Sequence, residues 1–326
     1  MKRNILLLFT FFACITVQGQ TPVRLVDLRS EHLDRPIGLD NPVPRLSWRM
    51  EDGRQGAVQT SWRIVVDEDS LNVVNGCGRM WDSGKNDSRN QLVAYAGKKL
   101  QPFTRYYWKV ICSDMEYKET ASPVSYFETG MMGMQHWQGA WIGDGKDIHY
   151  GSAPYFRKEF KTGKKVKSAR AYIAAAGLYE LYINGEKIGD HCLAPLYTRF
   201  DRRNLYMAYD VTSQLQNGDN AIGVLLGNGW YNHQSKAVWD FDRAPWRNRP
   251  TFCLDLRITY TDGSVETIPT DLSWRTASGA ITFNSIYTGE HYDARLEQKG
   301  WSTPEFDDSK WRGVAYRSVH SSNVTA

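Results

Sequence analysis

The sequence predicts an all-β protein built from two antiparallel β-sandwich domains. Many short segments alternate apolar and polar side chains with the two-residue period of a strand. Turns rich in Gly, Pro, Asn and Asp separate these segments, and no helix of three turns is evident among them. The chain has 326 residues, a length that corresponds to two domains on average.

Residues 22–130 are predicted to form the first domain, a sandwich of the fibronectin III or immunoglobulin-like kind. Trp48 and Trp108 are the simplest candidates for its core anchors, because a buried indole contributes a large apolar area. The predicted strands are residues 24–29, 45–50, 61–67, 106–112 and 125–129. Short strands with turns at regular spacing over about 100 residues favour this architecture.

The stretch 177–232 organises the second predicted domain, a jelly roll over residues 131–316. Its first strand, residues 178–183, ends at Asn184 and Gly185. This dipeptide is the strongest short signal for a hairpin, because a type I′ turn needs a positive φ at both central residues. The wholly apolar run that follows at residues 221–226 predicts a central strand buried on both faces.

The rest of the second domain continues the same pattern. Residues 252–260 alternate cleanly and lead into Asp262 and Gly263, a second predicted hairpin turn. The final strands are predicted to end within residues 286–296. Residues 317–326 are polar with little pattern, and we predict a disordered tail there.

The N-terminus predicts export. Two basic residues precede an apolar run over residues 5–17, which is too short to span a bilayer. A small-residue cleavage site makes residues 1–19 a predicted signal peptide. A lipoprotein attached through Cys14 is the less favoured alternative, because Phe11 stands where an aliphatic residue is usual. No later stretch predicts a transmembrane segment, so we expect a periplasmic or secreted protein.

Charge and cysteine content exclude several classes of protein. The formal net charge of +4 falls to +2 once the two basic residues of the signal are removed, so nothing indicates a nucleic-acid partner. The four cysteines beyond the signal show no C-x-x-C motif and no metal-ligand pair. Bridges Cys77–Cys112 and Cys192–Cys253 are open alternatives to isolated buried thiols.

No catalytic constellation is evident in the sequence. On a predicted strand over residues 290–297, Glu290 and Asp293 point to opposite faces and cannot act as one acid–base pair. Asp293, Arg295 and Glu297 share a face, which is typical of a salt-bridged surface. Motifs of serine hydrolases, zinc hydrolases and phosphate-binding loops are absent, and we predict neither a metal nor a cofactor.

Aromatic loops supply the candidate binding residues. Aromatic residues make up 13% of the chain, which suits β-sandwiches and sugar-facing surfaces, although most are expected in the core. The loop around residues 239–246 is predicted either to contact sugar or to pack against a neighbouring domain. The candidates for carbohydrate contact are Asn228, Trp230, Tyr231, Trp239, Asp242 and Trp246.

Several motifs, in order, resemble a known family. The motif GLYELYING at residues 177–185 and the motif GNGWY at residues 227–231 resemble the N-terminal β-sandwich of bacterial α-L-rhamnosidases, glycoside hydrolase family 78. The similarity continues at YTGEHYDAR, residues 287–295. The segments 36–40, 44–48 and 127–130 resemble the fibronectin-like domain that precedes this sandwich.

The resemblance covers residues 22–316 and implies a function. Such enzymes continue into an (α/α)6 barrel that carries the catalytic acid and the base that activates water. This chain ends before that barrel would begin. The resemblance therefore implies a non-catalytic N-terminal portion, inactive alone, of an enzyme acting on rhamnose-containing plant glycans, with the barrel missing or supplied as a separate partner. The alternatives are a stand-alone carbohydrate-binding module and a structural or adhesive two-sandwich protein.

Overall fold

The computed structural model describes residues 22–236 and 239–326. The predicted signal peptide and the Cys14 alternative fall outside these residues. Nearly all regular structure is strand, which confirms the all-β prediction. The elements of the first domain are β1 Arg24–Ser30, β2 Arg45–Glu51, β3 Ser61–Asp67, α1 Ser70–Val74, β4 Trp81–Asp82, β5 Leu92–Ala94, β6 Arg105–Ser113, β7 Glu119–Ala121 and β8 Ser125–Glu128.

The first domain packs two antiparallel sheets face to face. One has the strand order β1-β2-β5, and the other has the order β4-β3-β6-β7 with β8 paired to β6. Trp48 and Trp108 lie in the core between them, as predicted. The buried indole Nε1 of Trp48 donates a hydrogen bond to Gln59 Oε1 at 2.8 Å, so its polar atom is satisfied.

The second domain is a larger sandwich. Its strands are β9 Ile142–Gly143, β10 Pro154–Thr162, β11 Val166–Ala176, β12 Leu178–Ile183, β13 Glu186–Ile188, β14 Asn204–Asp210, β15 Gly218–Gly227, β16 Thr251–Tyr260, β17 Val265–Pro269, β18 Arg275–Ser278, β19 Ile281–Ser285, β20 Gly289–Tyr292, β21 Arg312–Gly313, β22 Ala315–Tyr316 and β23 Val324–Thr325. Short 3-10 helices lie at Met134–His136, Thr212–Gln214, Phe241–Arg243 and Ala294–Leu296.

Two sheets enclose the main core of this domain. One has the order β13-β12-β15-β10-β18-β21, and the other has the order β22-β9-β16-β11-β14-β23 with β17 beside β16. Strand β15 lies between β12 and β10, so the apolar run predicts its central place correctly. The ribbon β19–β20 pairs only with itself among the described strands.

The two predicted hairpins form with different turns. Asn184 and Gly185 have φ values of 51° and 86° and join β12 to β13, which confirms the two-residue hairpin. Strands β16 and β17 are joined by the longer loop 261–264, in which Gly263 takes a positive φ of 83°. The second hairpin is therefore confirmed, and Gly263 adopts the left-handed backbone conformation in its loop.

The prediction of a disordered tail at residues 317–326 is wrong. Strand β23 pairs in parallel with β14, and Asn204 Nδ2 donates to the Ser321 carbonyl at 3.0 Å. Val324 is buried in a small cluster with Tyr206. The few apolar side chains of this polar segment show no strand or helix period, so the burial of Val324 depends on the cavity that distant strands provide.

The structure also corrects one predicted strand and decides between the two alternatives for the cysteines. The strand predicted to reach Leu296 ends at Tyr292, where Asp293 caps a 3-10 helix by accepting from Arg295 N. The Asp293–Arg295 ion pair is nevertheless formed, at 2.7 Å. The proposed disulfides are also absent among the described residues. Cys112 and Cys253 are buried free thiols, and Cys77 and Cys192 are exposed free thiols.

The two domains make direct polar contacts. Tyr206 of β14 donates its hydroxyl to Asp40 Oδ1 at 2.6 Å and also contacts the Gly38 carbonyl. Gly38 has a φ of 85°, and a Cβ added there would lie 2.6 Å from Ala208 Cβ. The interface therefore needs glycine at this point, both for backbone conformation and for close approach. Within the described ranges, no helix is long and apolar enough to cross a membrane.

Candidate functional site

The candidate site is the loop that the structure describes over residues 228–236 and 239–250, called here the aromatic loop, together with the elements that hold it. It begins where β15 ends. Asn228 N donates to Asn284 Oδ1 at 2.6 Å, and Asn228 Nδ2 donates to the Asn284 carbonyl at 3.0 Å. Gly229 follows with a φ of 51°. These bonds tie the start of the aromatic loop to strand β19.

A buried arginine fixes the other end of the loop. Arg249 places its guanidinium against Asp144, with Nη2 2.6 Å from Oδ2. It also donates to the carbonyls of Tyr150 and Ser152, each at 2.7 Å. A buried charge costs several kcal/mol of desolvation, by order of magnitude, unless it is paired and hydrogen-bonded in this way. The base of the aromatic loop is therefore rigidly determined.

Aromatic side chains fill the space beneath the loop. The ring centroids of Phe200 and Tyr231 lie 5.1 Å apart at an interplanar angle of 73°. Trp246 packs on the same cluster, and its Nε1 donates to the Trp230 carbonyl at 3.2 Å. Edge-to-face contacts of this kind stabilise a cluster beyond the area it buries.

This packing divides the six predicted sugar-contacting residues. Asn228, Tyr231 and Trp246 are buried, with 1%, 1% and 7% exposure, and so serve as structural supports of the loop. Their proposed direct contact with sugar is not compatible with this burial. Trp230 and Asp242 are half-buried, and Trp239 is 61% exposed. Sugar contact stays a prediction for these last three.

The accessible part of the site is called here the aromatic face: Tyr197, Trp230 and Tyr287, which contact one another, together with the exposed Leu196 and Trp239 of the same two loops. Trp230 Nε1 lies 3.3 Å from the Tyr287 hydroxyl, and the Tyr197 and Trp230 rings are 5.6 Å apart. Tyr197 and Tyr287 were missed among the candidates, because no local pattern places their loops beside residue 230. Leu196, Tyr197, Trp239 and Tyr287 are all exposed.

One titratable side chain, His233, lies beneath the aromatic face. His233 is buried beside Tyr287, and burial lowers the pKa of its imidazole. Its Nε2 lies 3.2 Å from Ser235 Oγ. Across residues 22–236 and 239–326, no group of three or more His, Cys, Asp or Glu side chains is placed to hold a metal ion.

Family models match both halves of the chain. The α-L-rhamnosidase N-terminal domain matches residues 164–326, and the Rha78A-like N-terminal immunoglobulin domain matches residues 25–133. The first match assigns the larger sandwich to the N-terminal domains of α-L-rhamnosidases, and the second assigns the smaller sandwich to the immunoglobulin-like domains. The chain therefore belongs to the α-L-rhamnosidase family and corresponds to the N-terminal domains of its members.

Individual relatives agree with this assignment. An α-L-rhamnosidase of Formosa agariphila is 32% identical over 99% of this chain and 37% of its own length. One from Alteromonas sp. is 32% identical over 86% of this chain and 31% of its own length. The α-L-rhamnosidase structure from Dictyoglumus thermophilum is 38% identical, with a TM-score of 0.86 over 93% of this chain and 35% of that one. The chain thus spans about a third of each relative.

Proposed function

We propose that this chain is the non-catalytic N-terminal portion of an α-L-rhamnosidase-like glycoside hydrolase acting on rhamnose-containing plant glycans. The observation that carries the proposal is the overlay of both domains, in order, on a solved α-L-rhamnosidase at a TM-score of 0.86. The role proposed for the two sandwiches is therefore to support a catalytic (α/α)6 barrel.

The aromatic face is the proposed contact with that barrel. Exposed clusters of large apolar side chains on a soluble domain mark interaction surfaces. Trp and Tyr are enriched at protein interfaces, because each buries a large area and keeps a polar atom available. The rigid base formed by Arg249 and Asp144 supports this role, since a preorganised surface loses little conformational entropy on docking.

An activity assay tests the first part of the proposal. We expect the mature protein to release no p-nitrophenol from p-nitrophenyl α-L-rhamnoside above the buffer rate. Release that scales with protein concentration and survives repurification would overturn the non-catalytic assignment.

A chimera tests the docking role. This chain would replace the matching N-terminal part of the Dictyoglumus thermophilum enzyme, and we expect rhamnoside hydrolysis by the chimera. Replacing Trp239 and Tyr287 by Ser should lower its activity or its thermal stability. The control is Tyr117→Ser, because Tyr117 is 75% exposed but lies in the first domain. Equal effects of the two changes would contradict docking through the aromatic face.

A carbohydrate-binding module is the second candidate function, favoured by the exposure of Trp239 and the half-exposure of Trp230. Affinity electrophoresis in rhamnogalacturonan gels distinguishes the two functions. A binding module would be retarded, and the Trp230→Ala, Trp239→Ala double variant would migrate freely. Unaltered mobility of the wild-type protein would remove this candidate.

Export is proposed on the sequence of residues 1–19. We propose that the protein is periplasmic or secreted after cleavage of this segment, with lipid attachment at Cys14 as the weaker alternative. N-terminal sequencing of the protein from its native host tests this proposal. An intact N-terminal Met would contradict it.

A further inference from the structure

A cleft between the two sandwiches carries an excess of basic side chains. Its volume is about 410 Å³, and strands β6, β11 and β16 supply most of its lining. Four basic and two acidic side chains line it, together with aromatic rings and hydroxyl groups. The lining residues used in the argument are Tyr107, Lys167, Arg170, Tyr172 and Arg257.

Two of the four cations are already neutralised. Arg105 and Arg170 both bind the carboxylate of Glu128, with closest distances of 3.0 and 2.7 Å. Arg170 also pairs with Asp210 at 2.9 Å. In the part of the chain that the structure describes, Arg257 and Lys167 form no ion pair. The unpaired charges of the cleft, among the described residues, are therefore the cations Arg257 and Lys167 and the carboxylate of Glu68, which together leave a net positive charge.

Arg257 is the unpaired member of a cross-strand pair of arginines. It lies directly opposite Arg170 in the β11–β16 register, and whereas Arg170 has Glu128 and Asp210 as acidic partners, Arg257 has no counter-charge among the described residues. Its guanidinium is held over the Phe103 ring, with Cζ 4.5 Å from the ring centroid. The guanidinium of Arg257 donates no hydrogen bond to any described residue, so its donors remain available to an anion. A planar carboxylate matches that donor geometry.

We infer that this cleft binds a carboxylated saccharide, such as a short uronate oligosaccharide. Arg257 would bind the carboxylate, with Lys167 as the second cation. Tyr107 offers a half-exposed ring to a sugar face, and the hydroxyls of Ser168 and Thr259 offer hydrogen bonds. The saccharide part rests on the proposed function, whereas the anionic part rests on the charges of the cleft.

Titration calorimetry on the whole mature protein tests the inference. Trigalacturonate is the probe, its methyl ester is the neutral match, and triglutamate is an anion without sugar rings. We expect saturable binding of trigalacturonate that weakens as salt is raised. We expect the Arg257→Gln variant to bind trigalacturonate at least tenfold more weakly than the wild-type protein does. We also expect the wild-type protein to bind the methyl ester at least tenfold more weakly than trigalacturonate. Arg275→Gln, at an exposed arginine of β18 in the other sheet, should bind as wild type.

The outcomes separate this inference from the proposed function. Absence of binding, equal affinity for the methyl ester, or an equal loss in Arg275→Gln would overturn it. Equal binding of triglutamate would overturn the saccharide assignment. If Arg257→Gln fails to fold, the exposed Lys167→Gln decides, and wild-type affinity there would overturn the inference. The rhamnoside assay and the chimera test the proposed function, and calorimetry tests the anion-binding cleft. A result that overturns one proposal can therefore be distinguished from a result that overturns the other.

Discussion

Arg170 of the second domain donates two hydrogen bonds to Glu128 of the first, from Nε to Oε1 at 2.7 Å and from Nη2 to Oε2 at 3.0 Å. Both side chains are about nine-tenths buried. The pair is bidentate, the geometry in which an arginine and a carboxylate interact most strongly. It joins the end of β8 to β11, so it couples the two sandwiches across their interface.

Removal of one partner of this pair should destabilise the protein strongly. For Glu128→Gln we expect a loss of about 3–5 kcal/mol in the free energy of unfolding, because Arg105 and the buried Arg170 both lose the carboxylate that they share. Urea denaturation followed by Trp fluorescence measures it. The control is Glu51→Gln, which removes surface pairs with Arg24 and Arg49 and should cost about 1 kcal/mol or less. Equal losses in the two variants would contradict the interface role.

Asp67 should make the first domain sensitive to acid. Hydrogen bonds from the Arg79 side chain are the main cause that holds the pKa of Asp67 well below its ordinary value of 3.8. Because the folded-state pKa is depressed, the stability from Asp67 is present above the unfolded-state pKa. It is lost as pH falls through the folded-state pKa.

The Asp67→Asn variant checks the direction of this pH dependence. We expect it to lower stability at pH 7 and to flatten the decline of the unfolding free energy below about pH 4, measured by denaturation at several pH values. Asp34→Asn, at an exposed aspartate, is the control and should keep the wild-type slope. An unchanged acid slope in Asp67→Asn would contradict the prediction.

Of the four thiols that the structure describes, two should be reactive and two should be protected. Burial raises the pKa of the Cys112 thiol to about 12, and burial also raises the pKa of Cys253, so neither forms a thiolate at neutral pH. Cys77 and Cys192 are exposed. A thiol-specific reagent should label these two in the native protein and all four after denaturation, without prior reduction. Detection of a disulfide-linked peptide by mass spectrometry would contradict this.

The β12–β13 turn should require glycine. For Gly185→Ala we expect a loss of about 1–2 kcal/mol, the order expected for an L-residue forced into the left-handed region. The added Cβ would also lie 3.1 Å from Thr303 Cγ2. Gly163→Ala is the matched control, because Gly163 has no positive φ and an added Cβ meets nothing within 4 Å. Thermal unfolding compares the stability of the two variants. A smaller loss in Gly185→Ala than in Gly163→Ala would be inconsistent with the turn geometry.

The aromatic loop shows how far sequence reasoning extends toward the site. Composition and the GNGWY motif place Trp230 and Tyr231 correctly on one loop. The motif does not determine that Tyr231 points into the cluster while Trp239 stays exposed. That outcome depends on Phe200, which comes from a loop about thirty residues earlier in the chain and fills the space below.

By itself, the sequence determined the strands, the Asn184–Gly185 turn and the family, because alternation, turn chemistry and motif order are local properties of the chain. Tertiary structure decided which aromatic residues are accessible, that Val324 completes a sheet edge, and that Arg170 and Arg257 stand side by side. These outcomes depend on contacts between residues far apart in the chain. Burial and charge pairing are set by what the fold brings to each side chain, and no local pattern carries that information.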